Sequence, residues 1–280
     1  MGGRMTRTGV RGLPRHVALL VVVLAVLAGT AACTTAGGPG EPAATGGAAG
    51  VPAGLREAAR ATEAAGSARV ESATTIGSAI SLSAEGLLGW ADGVTGTLTL
   101  TCTGGTMAGT LRRLGSTTMQ ARYLPDAYYA RMGDAFAVQK GGRHWVRYAY
   151  DDLDSLTGGS GAQLGDQMRN STPDRSLRLL LASGDVRRVG TERVRGERTT
   201  HYSGTVEAGD TAVTGQTVDV WIDERDLLVK KVEKGRTASG ELVQTAYYGD
   251  YGAEADAERP PASDTRDFAD LVGAGEGGGA

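Results

Sequence analysis

The chain has 280 residues, of which 44 are glycine against 2 Phe, 3 Trp and 9 Tyr, so the bulk of any core falls to Leu, Val and Ala. Apolar residues make up 40% and charged ones 22%, which suits a globular domain and excludes a coiled coil, a collagen-like chain or a polytopic membrane protein. The formal net charge of −3 conceals an asymmetry, because the first 32 residues carry four arginines and no acid. Without them, 25 basic side chains face 32 acidic ones, a net of −7, which disfavours a nucleic-acid partner held by a general basic surface.

Arg4, Arg7, Arg11 and Arg15 precede an apolar run from Val17 to Ala28. A basic region feeding an apolar one is the pattern of a secretory signal. The run is shorter than the roughly 20 residues a membrane-spanning helix needs. It ends at Gly29-Thr30-Ala31-Ala32-Cys33, small residues before a cysteine, as in a bacterial lipobox. Residues 1–32 are therefore expected to be cleaved as a lipoprotein signal, with Cys33 receiving the lipid; Thr30 departs from the Leu more usual there. The alternative is ordinary cleavage after Ala32 with an incidental thiol. Acylation of Cys33 would leave Cys102 as the single free thiol and allow no intrachain disulfide.

Residues 33–52 contain almost nothing to bury and read as a disordered tether, with a typical reach of about 25 Å. The folded domain is placed at 53–271, and 272–280 as a disordered tail. The acidic, proline-containing stretch 250–267 is expected to hold no site. Ala53 to Ala65 is Ala-rich and stops at Gly66, predicting a helix with its stripe through Leu55, Ala58, Ala59 and Thr62. Short β-prone runs follow at 69–76, 81–90, 96–103, 107–114, 117–124 and 127–132, the spacing of an antiparallel meander. Gly104-Gly105 and Gly141-Gly142 read as hairpin turns. In Leu98-Thr-Leu-Thr-Cys102, Leu98, Leu100 and Cys102 share the face to be buried.

Residues 151–171 read as a loop leading into a helix that starts at Thr172-Pro173-Asp174 and stops at Gly184, with Leu177, Leu180 and Leu181 on one face. Val218-Asp-Val-Trp-Ile-Asp223 alternates, placing Val218, Val220 and Ile222 inward and Trp221 on the more polar side. Glu224-Arg-Asp226 turns the chain into a partner strand from Leu227 to Lys234.

Gly196-Glu-Arg-Thr-Thr-His-Tyr202, the Trp221-Ile-Asp223 hairpin and Tyr247-Tyr-Gly-Asp-Tyr-Gly252 together resemble the LolA-like group of bacterial lipoproteins, in texture the actinobacterial LppX/LprG type. The likeness covers about 53–252. It implies an α+β fold, a strongly curved antiparallel β half-barrel with helices covering the concave face, enclosing acyl chains that are carried between envelope layers. The excess of 25 Arg over 4 Lys, with abundant Gly and Ala, fits a GC-rich actinobacterial source.

No catalytic constellation emerges. His144 and His201 lack metal-ligand spacing, no Gly-x-Ser-x-Gly is present, and Asp151, Asp152 and Asp154 lack the glycine and terminal Glu of an EF-hand loop. Neither Gly-Gly pair has the Lys-Ser/Thr of a phosphate loop. Arg112-Arg113 and Arg187-Arg188 read as solvent-facing pairs. No cofactor and no metal are expected. The expectation is a non-enzymatic lipoprotein at the extracytoplasmic face of the cell membrane, anchored through Cys33 and binding or carrying a lipid or other apolar ligand. The wall candidates are Leu98, Leu100, Leu177, Leu180, Leu181, Val218, Val220 and Ile222, positions that would serve a filled core as well. The alternative is a module docking another envelope protein through its polar sheet face, with Trp221 and Tyr247 to Tyr251 as anchors.

Overall fold

The computed structural model describes residues 52–113, 115–139, 141–156, 172–206 and 213–271. The expected signal segment, Cys33, the tether up to residue 51 and the tail lie outside the described residues, as do 157–171 of the expected loop. In chain order come α1 (Ala53–Ala65), β1 (Ser67–Ile76), β2 (Ile80–Gly89), β3 (Thr95–Gly104), α2 (Gly105–Arg113), β4 (Thr118–Leu124), β5 (Ala127–Arg131), α3 (Asp134–Gln139), β6 (Trp145–Ala149) and α4 (Tyr150–Leu156). They are followed by α5 (Pro173–Ser183), β7 (Val186–Val194), β8 (Glu197–Val206), β9 (Thr214–Ile222), β10 (Leu228–Thr237), β11 (Gly240–Gly249) and β12 (Thr265–Asp267).

The strands form one curved, unclosed 12-stranded sheet in the order β12-β6-β5-β4-β3-β2-β1-β11-β10-β9-β8-β7. Every pairing is antiparallel except β12 beside β6. Two meanders, β1 to β6 and β7 to β11, are joined where β1 pairs with β11, Val70 opposite Tyr248 and Thr74 opposite Gln244. The helices cover the concave face.

Local sequence explains most elements. In α1 the expected stripe Leu55, Ala58, Ala59 and Thr62 is the buried one, and Gly66 ends the helix in the left-handed region at φ 69°. Trp90 Nε1 donates to the Thr62 and Glu63 carbonyls at 3.2 Å, partnering acceptors the helix end leaves open. Helix α5 has Thr172 at its N-cap and Pro173 in its first turn, and stops at Gly184 with φ 68°. At the β9–β10 turn, Asp223 Oδ1 accepts from the backbone N–H of Arg225 and Leu227 at 2.9 and 2.8 Å, and Asp226 takes φ 60°.

Four local expectations need correction. The strand expected at Met107 to Leu114 is instead helix α2 as far as Arg113, burying Met107, Ala108 and Leu111 at helical spacing. Gly104-Gly105 is accordingly a strand-to-helix junction. A side chain at Gly105 would stand 2.4 Å from the Ala79 carbonyl oxygen, and its φ is +79°. Gly141-Gly142 likewise links α3 to β6 rather than two strands of a hairpin. The first part of the expected loop, 151–156, is helical, within α4. The stretch 250–267, for which only the absence of a site was expected, runs along the sheet: Glu258 O accepts from Arg122 at 2.7 Å, Asp126 holds Arg259 at 2.7 Å, and β12 adds a strand to the edge. Phe268 beyond it is 4% exposed and belongs to the core.

Candidate ligand compartment

The concave face carries two apolar fields. The first spans β1 to β6 under α2, α3 and α4, and includes Leu98, Leu100, Cys102, Met119, Val146 and Leu153. The second lies on β8, β9 and the start of β10 under α1 and α5, and includes Leu177, Leu180, Val218, Val220, Ile222 and Leu228. Of the eight wall candidates, Leu98 and Leu100 therefore fall in one field and five others in the second, with Leu181 partly buried at its margin. They are inward-facing positions, but they do not form one continuous wall.

Between the fields runs a buried polar seam. One registered row reads Val218, Glu233, Gln244, Thr74, Leu82, Cys102 from β9 across to β3, so its three central members are polar. Gln244 Nε2 donates to Thr74 Oγ1 at 3.2 Å. Lys231 Nζ lies 3.0 Å from Glu233 Oε1, with side-chain exposures of 8% and 4%. Ser176, in the first turn of α5, donates to the same oxygen at 2.9 Å. Burial alone would push the Lys231 ammonium down, but the Glu233 carboxylate and the Tyr248 hydroxyl outweigh it and hold it above the ordinary lysine range. Asp174 is buried beside them, its Oδ2 on Arg178 at 2.5 Å and its Oδ1 without a partner. The seam thus ties the start of the covering helix to the middle of the sheet.

In the first field Tyr123, Tyr128 and Tyr148 face one another in register across β4, β5 and β6. Their rings meet edge-on, with centroids 5.0 and 5.8 Å apart. Cys102 lies in the same field, its Sγ 3.5 Å from the Gly104 carbonyl, and burial raises its thiol pKa, which leaves it unreactive at neutral pH.

The opposite face carries a row of a different kind. His201, Trp221, Lys230, Tyr247 and Glu71 are successive register partners from β8 to β1. His201 stacks on Trp221 at 4.3 Å and its Nε2 meets Asp219 Oδ1 at 2.8 Å. Glu192 accepts from Trp221 Nε1, and Lys230 Nζ sits 4.1 Å over the indole. Trp221 is on the side the alternation assigned, yet these neighbours leave it only 7% exposed. Arg195 lies 4.0 Å over Tyr247 and grips Glu71 at 2.7 Å, a hydrogen bond that holds the Glu71 carboxyl below its usual range. A cleft of about 250 Å³ opens here between Arg69, Glu71, Val194, Arg195, Val229 and Tyr247.

His144 pairs through Nδ1 with Asp264 at 2.7 Å. Among the described residues no group of three or more His, Cys, Asp or Glu is placed to hold a metal. Arg112-Arg113 and Arg187-Arg188 are exposed. Sequence reasoning missed Lys231, Glu233 and the tyrosine row. Lys230 and Lys231 are adjacent, and a bulge between Leu228 and Lys230 decides which one points inward. Tyr128 and Tyr129 are adjacent in the same way, and pairing with Tyr123 and Tyr148 becomes visible only once register is known.

No family model matches the chain. It is 63% identical over 218 residues to a Streptomyces coelicolor protein named "Putative lipoprotein SCO4650", covering 78% of this chain and 75% of that one. It is 48% identical over 243 residues to an uncharacterized 31.2 kDa protein of Streptomyces griseus encoded in the rplA-rplJ intergenic region, covering 79% and 80% of the two chains. Among solved structures it is similar to the Mycobacterium tuberculosis lipoprotein LppX, with 17% identity, a TM-score of 0.46, and coverage of 74% of this chain and 97% of that one. The chain belongs to the Streptomyces lipoprotein family that includes SCO4650.

Proposed function

We propose that the chain is anchored at the extracytoplasmic face of the cell membrane through a lipid on Cys33, and that its domain binds or carries an acyl-chain or similarly apolar ligand without catalysing a reaction. The supporting sequence feature is the basic and apolar leader ending in Thr30-Ala31-Ala32-Cys33. The structural observation that carries the reading is the pair of apolar fields on a concave, unclosed sheet, roofed by short separate helices rather than a second sheet. Parting such a roof exposes apolar strand positions that an acyl chain can cover again, at about 0.8 kcal/mol per buried methylene. A docking module for an envelope protein loses one of its expected anchors, because Trp221 lies shielded beneath Lys230 and His201, while Tyr247 and Tyr251 stay half-buried. The test is solvent extraction and mass spectrometry of the mature chain carrying Cys33→Ser, together with displacement of a fluorescent fatty-acid probe. A co-purifying apolar molecule and saturable displacement are expected; a clean extract with no probe binding sinks the proposal.

A further inference from the structure

Tyr123, Tyr128 and Tyr148 are 1%, 0% and 0% exposed, and Phe268 extends their row by stacking on Tyr148 at 4.8 Å. Burial pushes all three phenols above their ordinary range, so they remain neutral donors at any physiological pH. The hydroxyl oxygens of Tyr128 and Tyr148 nevertheless have no hydrogen-bond partner. A core that needed only ring volume is served by Phe at these positions, since a buried hydroxyl left unmet is destabilising. Two unmet hydroxyls on directly paired residues of neighbouring strands are a donor set waiting for an acceptor.

We propose that this row is a subsite for an uncharged oxygen acceptor on the bound ligand, an ester carbonyl at the junction between acyl chain and polar linkage. The inference rests on the apolar-ligand reading above and adds to it a chemical selectivity. The next registered row along the same three strands is Ala121, Ala130 and Val146, all buried and apolar, and the groups whose charge bears on the three phenols are other tyrosines. A carboxylate placed there gives up its water with no cation to replace it. A plain hydrocarbon beside the row leaves both phenols unmet. An ester carbonyl, with two lone pairs, satisfies the donors without bringing in charge. Sites built to hydrogen-bond a group reject analogues lacking it more strongly than sites that sort by size. The row ends at the edge of the sheet, where Phe268 follows β12, a strand of three residues.

Three pyrene-labelled probes of equal chain length test the subsite on the mature chain carrying Cys33→Ser: an alkane, a methyl ester and a free carboxylate at pH 8. The wild type is expected to bind the ester about tenfold more tightly than the alkane, the ratio two modest hydrogen bonds supply, with the carboxylate weaker than the ester. Tyr128→Phe combined with Tyr148→Phe keeps both rings and should bring the ester down to the alkane's affinity, with alkane binding retained. Circular dichroism confirms that the variant is folded. Equal binding of ester and alkane by the wild type overturns the subsite, as does a preference that survives in the double variant. A loss of melting temperature in the double variant with an unchanged preference identifies an ordered water as the partner of the hydroxyls and also overturns it. In all these cases the alkane still binds, so the apolar-ligand reading stands; if no probe binds, both fall together.

Discussion

Removing one member of the Lys231–Glu233 pair should destabilise the domain far more than removing both. At 3.0 Å and an effective dielectric of 20, the attraction is about 5–6 kcal/mol. Taking two ions out of water offsets most of that, by several kcal/mol for each. The pair is therefore worth little in net terms, but either partner alone is a buried, uncompensated charge. Lys231→Met and Glu233→Leu are each expected to lower stability by about 3–5 kcal/mol. Glu233→Leu also takes away the acceptor of Ser176, which adds about 1 kcal/mol. The double variant should lie within about 2 kcal/mol of wild type, because two apolar side chains then meet at the boundary between the two apolar fields. Urea unfolding of the four proteins, followed by tryptophan fluorescence, gives the coupling energy directly. Single changes below about 1 kcal/mol that simply add would refute the reasoning, since a seam open to water behaves in that way. The same pair carries a pH signature. Its lysine pKa is raised in the folded state, so the contribution is present below the unfolded lysine value of about 10.4 and lost as pH climbs through the folded value. The wild type should lose stability above that pH more steeply than the double variant.

Leu180→Ala, at a fully buried position, should cost about 2–5 kcal/mol in urea unfolding, whereas Leu181→Ala at the margin of the same field should cost clearly less. Gly204→Ala should destabilise by about 1–3 kcal/mol, because an added Cβ would stand 2.4 Å from the Asp185 carbonyl oxygen and 2.9 Å from Leu180 Cδ2. The Arg259 hydrogen bond lowers the Asp126 pKa, and the His144 backbone N–H does the same for Asp264. Both contribute stability above the unfolded carboxylate value of about 3.9 that is lost as pH falls through the folded values. Melting temperatures from pH 6 to 2 should show this loss, shallower in Asp126→Asn, with a small amplitude because both carboxylates are partly exposed.

Much of the architecture was legible in alternation and punctuation. The faces of β3 and β9, the stripe of α1 and the limits of α5 follow from apolar spacing and from residues such as Pro173 and Gly184. Helix α2 was not legible because it is short, with Gly105, Thr106, Gly109 and Thr110 among its nine residues, and those residue types are weak helix formers. How the last acidic stretch is held was not legible, because its fastening comes from single long-range contacts, Arg122 to Glu258 O and Arg259 to Asp126, which leave no local pattern. For the compartment, the sequence identified inward positions but not how they divide. The seam depends on a bulge in β10 that turns Lys231 inward, and the tyrosine row depends on the register of three strands.

The ligand reading is tested most directly by native mass spectrometry of the mature Cys33→Ser chain secreted from its own host and kept free of detergent. The expected spectrum shows a discrete adduct of lipid mass that is released on collisional activation and identified as an ester-bearing apolar molecule. A spectrum containing only the bare polypeptide, from a sample that also fails to take up the pyrene ester, would contradict it.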